Sequence, residues 1–78
     1  MTEPNRSHSK NPQPLDVVAL LVEHLTEGLA RGQVGTVVES LGSDSVLVEF
    51  CDDAGRAYAV VPCRYSELLV LHYEPEVA

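Results

Sequence analysis

Positive charge is scarce in this chain. Five lysines and arginines stand against twelve aspartates and glutamates, a net charge of −7 over 78 residues. Glu3, Arg6 and Lys10 leave residues 1–14 at +1, so residues 15–78 carry −8. Phosphate backbones are held by lysines and arginines that displace counterions, so this field argues against nucleic acid and suits a basic protein surface. Cysteine is sparse too: Cys51 and Cys63 are too few to staple a scaffold. No apolar run approaches the ~20 residues of a membrane span, and the opening MTEPNRSHSKNPQP holds no apolar core of a secretory leader. A cytoplasmic protein with no membrane partner is expected.

The spacings of site chemistry are missing as well. There is no CxxC, HxH or HExxH, so His24, His72, Cys51 and Cys63 give no metal-ligand pattern. A cysteine nucleophile needs an electropositive neighbourhood, and Cys51 is followed by Asp52 and Asp53. Those two acids with Glu49 lack the alternating oxygen ligands of a calcium loop. The expectation is a protein that is no enzyme, with no catalytic residue, no cofactor and no metal.

Glycine is present where it could matter. GLARGQVGTVVE sets Gly28, Gly32 and Gly35 at a Gly-x₃-Gly-x₂-Gly spacing. That is neither the dinucleotide nor the P-loop pattern, no Lys-Ser/Thr pair follows, and Val37 and Val38 are poor helix starters. The glycines therefore serve the chain path. Gly32 is expected to reverse it with a positive φ, and Gly35 to sit where a strand bulges or a second backbone comes close.

A chain of this length buries about 60% of the surface its unfolded form exposes, which allows one domain with one small core. Residues 1–14 contain three prolines, and Met1 is their only large apolar side chain; they read as a disordered tail. From Leu15 the text becomes apolar. LDVVALLVEHL fits a strand over roughly 16–22 or an amino-terminal helix; the early Val-Val favours the strand. QVGTVVESL, SVLVEFC and AYAVVPC follow, separated by GSD and DDAGR, the pattern of an antiparallel meander. Asp53-Ala54-Gly55 suits a three-residue hairpin ending in a left-handed glycine. This loop predicts Phe50 opposite Tyr58, Val48 opposite Val60, Cys51 opposite Ala57 and Cys63 opposite Ser45. The two cysteines then lie roughly 20 Å apart along the ladder, beyond the ~7 Å a disulfide tolerates. RYSEL allows one tight helical turn, and LLVLHY supplies a last strand. Five short strands in under about 60 residues predict a strongly bent sheet curling onto itself.

The blocks GQVGTVVE, VEF, GRAYA and LLVLHY, within residues 15–75, resemble a small bacterial family catalogued as domain of unknown function 4926. The resemblance implies an all-β, five-stranded SH3-like barrel of the kind also seen in KOW modules, spanning 15–75 between the tail and a short carboxyl-terminal tail at 76–78. It carries over no catalytic residues, and Cys51 and Cys63 lie outside its pattern.

Function is expected to be protein recognition. Barrels of this type bind through a groove between loops or by pairing a strand edge, and the loops here carry Glu23, Glu27, Asp44, Asp52 and Asp53. Tyr65, with Tyr58 and Tyr73, supplies aromatic handles. The expected partner is a protein with a basic surface. A narrower alternative is an antitoxin-like or immunity-like inhibitor of a basic effector such as a nuclease. A KOW-like RNA-binding reading would rest on Arg31, Arg56 and Arg64, three arginines among eleven acids in residues 15–78.

Overall fold

The computed structural model describes residues 11–72. The carboxyl-terminal tail expected at 76–78, Tyr73, and residues 1–10 of the expected amino-terminal tail lie outside them. Within the described part, Pro12 is buried, and Gln13 N–H donates to Asp16 Oδ2 at 2.9 Å while Asp16 N–H donates to Gln13 O at 2.9 Å.

Five strands form one antiparallel sheet: β1 (Val17–Leu20), β2 (Val34–Ser40), β3 (Ser45–Cys51), β4 (Ala57–Arg64) and β5 (Leu68–Leu71). Two 3₁₀ turns join them, η1 (Leu25–Glu27) between β1 and β2 and η2 (Tyr65–Glu67) between β4 and β5. The first apolar segment is thus a strand, shorter than 16–22, and the helical alternative is set aside. Strand order is β4–β3–β2–β1–β5, leaving β4 and β5 at the two margins. The fold is all-β, and this order is compatible with the SH3-like architecture.

Side-chain alternation explains which face is hidden. Val46, Val48 and Phe50 of β3 are fully buried, while Ser45, Leu47 and Glu49 lie on its other face. Val18 and Leu20 of β1, Val37 of β2, Val61 and Cys63 of β4, and Leu68 of β5 meet them, and Leu29 reaches in from the β1–β2 loop. Each fully buried valine, leucine or phenylalanine contributes about 1.5–3 kcal/mol of transfer free energy. Gly35 is where β2 presses onto β3. A Cβ placed there would stand 2.8 Å from the Glu49 carbonyl oxygen, 2.7 Å from Val48 Cγ1 and 2.8 Å from Phe50 Cδ1. The expected close backbone approach at Gly35 is therefore present. The bulge of β2 falls further on, between Val37 and Glu39. It lies in the part of β2 that follows the pairing with β1 at Val34–Thr36 and pairs with β3 instead. An extra residue bends a strand at such a point.

The β3–β4 hairpin closes as expected at its tip and differs along its length. Gly55 is left-handed (φ 83°), Gly55 N–H donates to Asp52 O, and Asp52 N–H donates to Arg56 O, both at 2.9 Å. Cys51 faces Ala57. Beyond that the register slips by one residue, so the predicted pairs need correction: Phe50 faces Ala59 rather than Tyr58, Val48 faces Val61 rather than Val60, and Cys63 faces Val46 rather than Ser45. A bulge at Tyr58 absorbs the extra residue. One position of slip exchanges the two faces of a strand. Here it turns Tyr58, Val60 and Pro62 outward and brings Val61 and Cys63 into the core.

Candidate functional site

Among the described residues, two places gather polar side chains. The first is built around the β3–β4 turn. Asp52 Oδ1 accepts from the N–H groups of Ala54 (2.9 Å) and Arg56 (3.0 Å), and Arg56 Nε lies 3.5 Å from Oδ2. The Asp52 carboxylate is thus engaged in shaping its own turn, ordinary chemistry for an Asp at this position. Asp53 is exposed beside it. The bulge turns Tyr58 outward, where its hydroxyl accepts a hydrogen bond from Gln33 Nε2 at the end of the β1–β2 loop. Gln33, Cys51, Asp52, Asp53 and Tyr58 line an open groove with a volume of about 440 Å³. Two residues along β4, Val60 is half exposed and stands across from Glu49.

The second place lies where β4 passes into η2. His24, half-buried in the β1–β2 loop, presents Nε2 to Glu67 Oε1 at 3.3 Å and Nδ1 to Glu27 Oε1 at 3.7 Å. Its backbone is fixed by a reciprocal pair of hydrogen bonds with Leu29, both 3.0 Å. Glu67 is held from two sides: its Oε1 accepts from Arg64 N–H at 3.1 Å, and its carbonyl accepts from Leu21 N–H at 2.8 Å. The buried Cys63 thiol completes the group, and the donor atoms of His24, Cys63 and Glu67 all lie within 4.8 Å of one another. Burial, then the carboxylates of Glu67 and Glu27, push the Cys63 thiol up to about pKa 11. It is therefore a protonated thiol at neutral pH, with its S–H directed at the Val61 carbonyl 3.7 Å away. Both cysteines are free.

The six expected recognition residues are distributed over both ends of β3. Asp52 and Asp53 follow it and share the groove. Asp44 precedes it, where its carbonyl accepts from Tyr65 N–H at 2.8 Å and its Oδ1 from Ser45 Oγ at 3.0 Å. Tyr65 lies half-buried in η2 and packs against the core. Glu23 and Glu27 are exposed on the β1–β2 loop, Glu27 within reach of His24. Gln33, Cys51 and Tyr58 are the groove residues missing from that set. The expected register turns Tyr58 into the sheet toward Phe50, at odds with its other expected role as an aromatic handle; the structure leaves it 46% exposed. The grouping of His24, Cys63 and Glu67 has no short spacing to betray it, since 43 residues separate His24 from Glu67.

Among the described residues no helix is long and apolar enough to cross a membrane. A family model described as "Domain of unknown function (DUF4926)" matches residues 15–70. No curated protein and no solved structure matches the chain.

Proposed function

The chain belongs to the DUF4926 family of domains of unknown function, and from that premise we propose that it is a non-enzymatic protein-recognition module whose groove receives a basic side chain of its partner. The observation that carries this reading is the meeting of the Tyr58 ring with the Asp52 and Asp53 carboxylates around one open groove. A lysine or arginine laid over a tyrosine face gains about 0.5–1 kcal/mol at an exposed site and more when desolvated. An exposed ion pair with Asp53 adds roughly 0.2–1 kcal/mol. Micromolar affinity requires about 8 kcal/mol, so the groove selects the partner's charge and a neighbouring surface supplies the remainder.

The margin strand β4 is that neighbour. Its outward side offers Val60 and Pro62 beside Tyr58, and a margin strand can accept an extended segment by backbone pairing. The charge of −8 over residues 15–78 draws a basic partner in and makes association fall with added salt. A cytoplasmic setting accords with this role. Nucleic acid is disfavoured by the same charge.

An amide NMR titration of the full chain with arginine-rich and lysine-rich peptides tests the reading. Shifts concentrated at Gln33, Asp52, Asp53 and Tyr58, weakened by Tyr58→Ala and by raised salt, are expected. Retention of RNA at physiological salt together with no shift from any basic peptide would overturn it.

A further inference from the structure

We propose that His24, Cys63 and Glu67 form a binding site for one divalent transition-metal ion of the zinc type. This goes beyond the recognition groove and shares no residue with it. Imidazole, thiolate and carboxylate are the three donor types that zinc takes, and three protein ligands with a fourth position left for water is a common arrangement for that ion. A thiolate beside an imidazole selects zinc or cobalt over magnesium or calcium, which prefer oxygen donors alone.

Distances favour this assignment. Metal–nitrogen and metal–oxygen bonds of about 2.0–2.1 Å in a tetrahedron place those two ligands about 3.3 Å apart. His24 Nε2 already stands 3.3 Å from Glu67 Oε1. A metal–sulfur bond of about 2.3 Å opens the remaining edges to roughly 3.6 Å. All three donors lie within 4.8 Å of one another, so the sulfur has little more than about 1 Å to close.

An imidazole–carboxylate contact of 3.3 Å is, taken alone, an ordinary hydrogen bond. Three features separate this corner from one. The buried Cys63 sulfur lies within 4.8 Å of both partners' donor atoms, a third donor that a simple His–Glu pair does not need. A second carboxylate, Glu27, stands 3.7 Å from His24 Nδ1. A closure of a few tenths of an ångström would let Nδ1–H donate to Glu27 and leave the Nε2 lone pair for the ion, the outer-shell arrangement that orients metal-bound histidines. Finally, the ligands come from the β1–β2 loop, β4 and the second 3₁₀ turn, and the hydrogen bond from Leu21 N–H to the Glu67 carbonyl joins the backbones of the first and the last. The His24 and Glu67 side chains are 15% and 28% exposed, which leaves a route for the ion and room for water in the fourth position. On binding, Cys63 releases its thiol proton to solvent and both electrons of the S–H bond stay on sulfur as the thiolate donor.

The test uses the full-length chain, stripped with a chelator and titrated with cobalt(II). One equivalent is expected to bind and to produce a thiolate-to-cobalt charge-transfer absorption that zinc(II) then abolishes by displacement. Cys63→Ser removes that absorption and Cys51→Ser retains it. His24→Gln and Glu67→Gln each lower affinity at least tenfold, and Glu27→Gln lowers it about 10-fold to 100-fold through His24. Circular dichroism establishes that each variant is folded. Should Cys63→Ser lose the fold, His24→Gln and Glu67→Gln, at less buried positions, decide the matter. Absence of the absorption in the folded wild type, its loss in Cys51→Ser, or wild-type affinity in folded His24→Gln or Glu67→Gln would overturn the proposal.

Discussion

The β3–β4 turn and the corner at His24, Cys63 and Glu67 both collect carboxylates, yet they treat them differently. In the turn, the acids are contiguous and wet, and Asp52 accepts from the backbone N–H groups of Ala54 and Arg56 in its own loop. In the corner, Glu27 and Glu67 approach one imidazole from different elements and lean on a buried thiol. The first arrangement leaves Asp53 and Tyr58 at the surface for a partner. The second places polar donors against the core, where low dielectric magnifies whatever they bind. In the reading proposed here, acidity of the same amount serves recognition at one end and ligation at the other, and what separates the two is how far each group is taken from water.

Both regions depend on β3 and its fit against β2, and the largest predicted effect comes from breaking that fit. Gly35→Ala drives a methyl group against the Glu49 carbonyl at 2.8 Å, and backbone cannot yield as a side-chain tip can. A loss of about 3 kcal/mol is expected in urea unfolding, a large fraction of the marginal stability of so small a domain. Unchanged stability would mean that the two strands are not so closely apposed.

The next effect separates the corner from the turn by pH. The folded-state pKa of Cys63 is raised to about 11. Its contribution to stability is therefore complete below the ordinary thiol pKa of 9.0, where folded and unfolded thiols are both protonated, and is lost as pH climbs from about 9 toward 11. About 2 kcal/mol should disappear across that window in chelator-containing buffer. Cys63→Ala should flatten this slope, whatever its cost at pH 7.

A smaller effect divides the turn within itself. Asp52→Ala removes the acceptor for two backbone N–H groups and is expected to cost about 1 kcal/mol by thermal unfolding. Asp53→Ala should stay within about 0.5 kcal/mol while weakening capture of basic peptides. If the two changes cost the same, the assignment of one acid to structure and its neighbour to recognition fails.

What could be read from the chain follows the same division. The turn was legible because its chemistry is local: Asp52 through Gly55 specify a hairpin loop within a few residues, and the left-handed glycine falls where the spacing places it. The alternation of Val46, Val48 and Phe50 likewise identified the hidden face of β3. The partner strand was not legible, because AYAVVPC offers apolar residues on both faces and a single bulge at Tyr58 decides which of Val60 and Val61 turns inward. The tighter pairing of Phe50 with the small Ala59 lets the aromatic ring fill the core while Tyr58 keeps its hydroxyl at the surface with Gln33. The slip changes the partners of Tyr58 and Cys63: it frees Tyr58 from Phe50 and sets Cys63 opposite Val46 instead of Ser45. The approach of His24 to Glu67 is a matter of tertiary packing between a long loop and η2, and no local pattern encodes it.

Interstrand proton contacts across the β3–β4 ladder test the account most directly, since the register determines both the exposed tyrosine and the buried thiol. Nuclear Overhauser effects are expected to link the facing residues Val48 with Val61 and Val46 with Cys63. A ladder linking Val48 with Val60 and Ser45 with Cys63 would contradict the account, return Tyr58 to the inner face and dissolve the corner around His24.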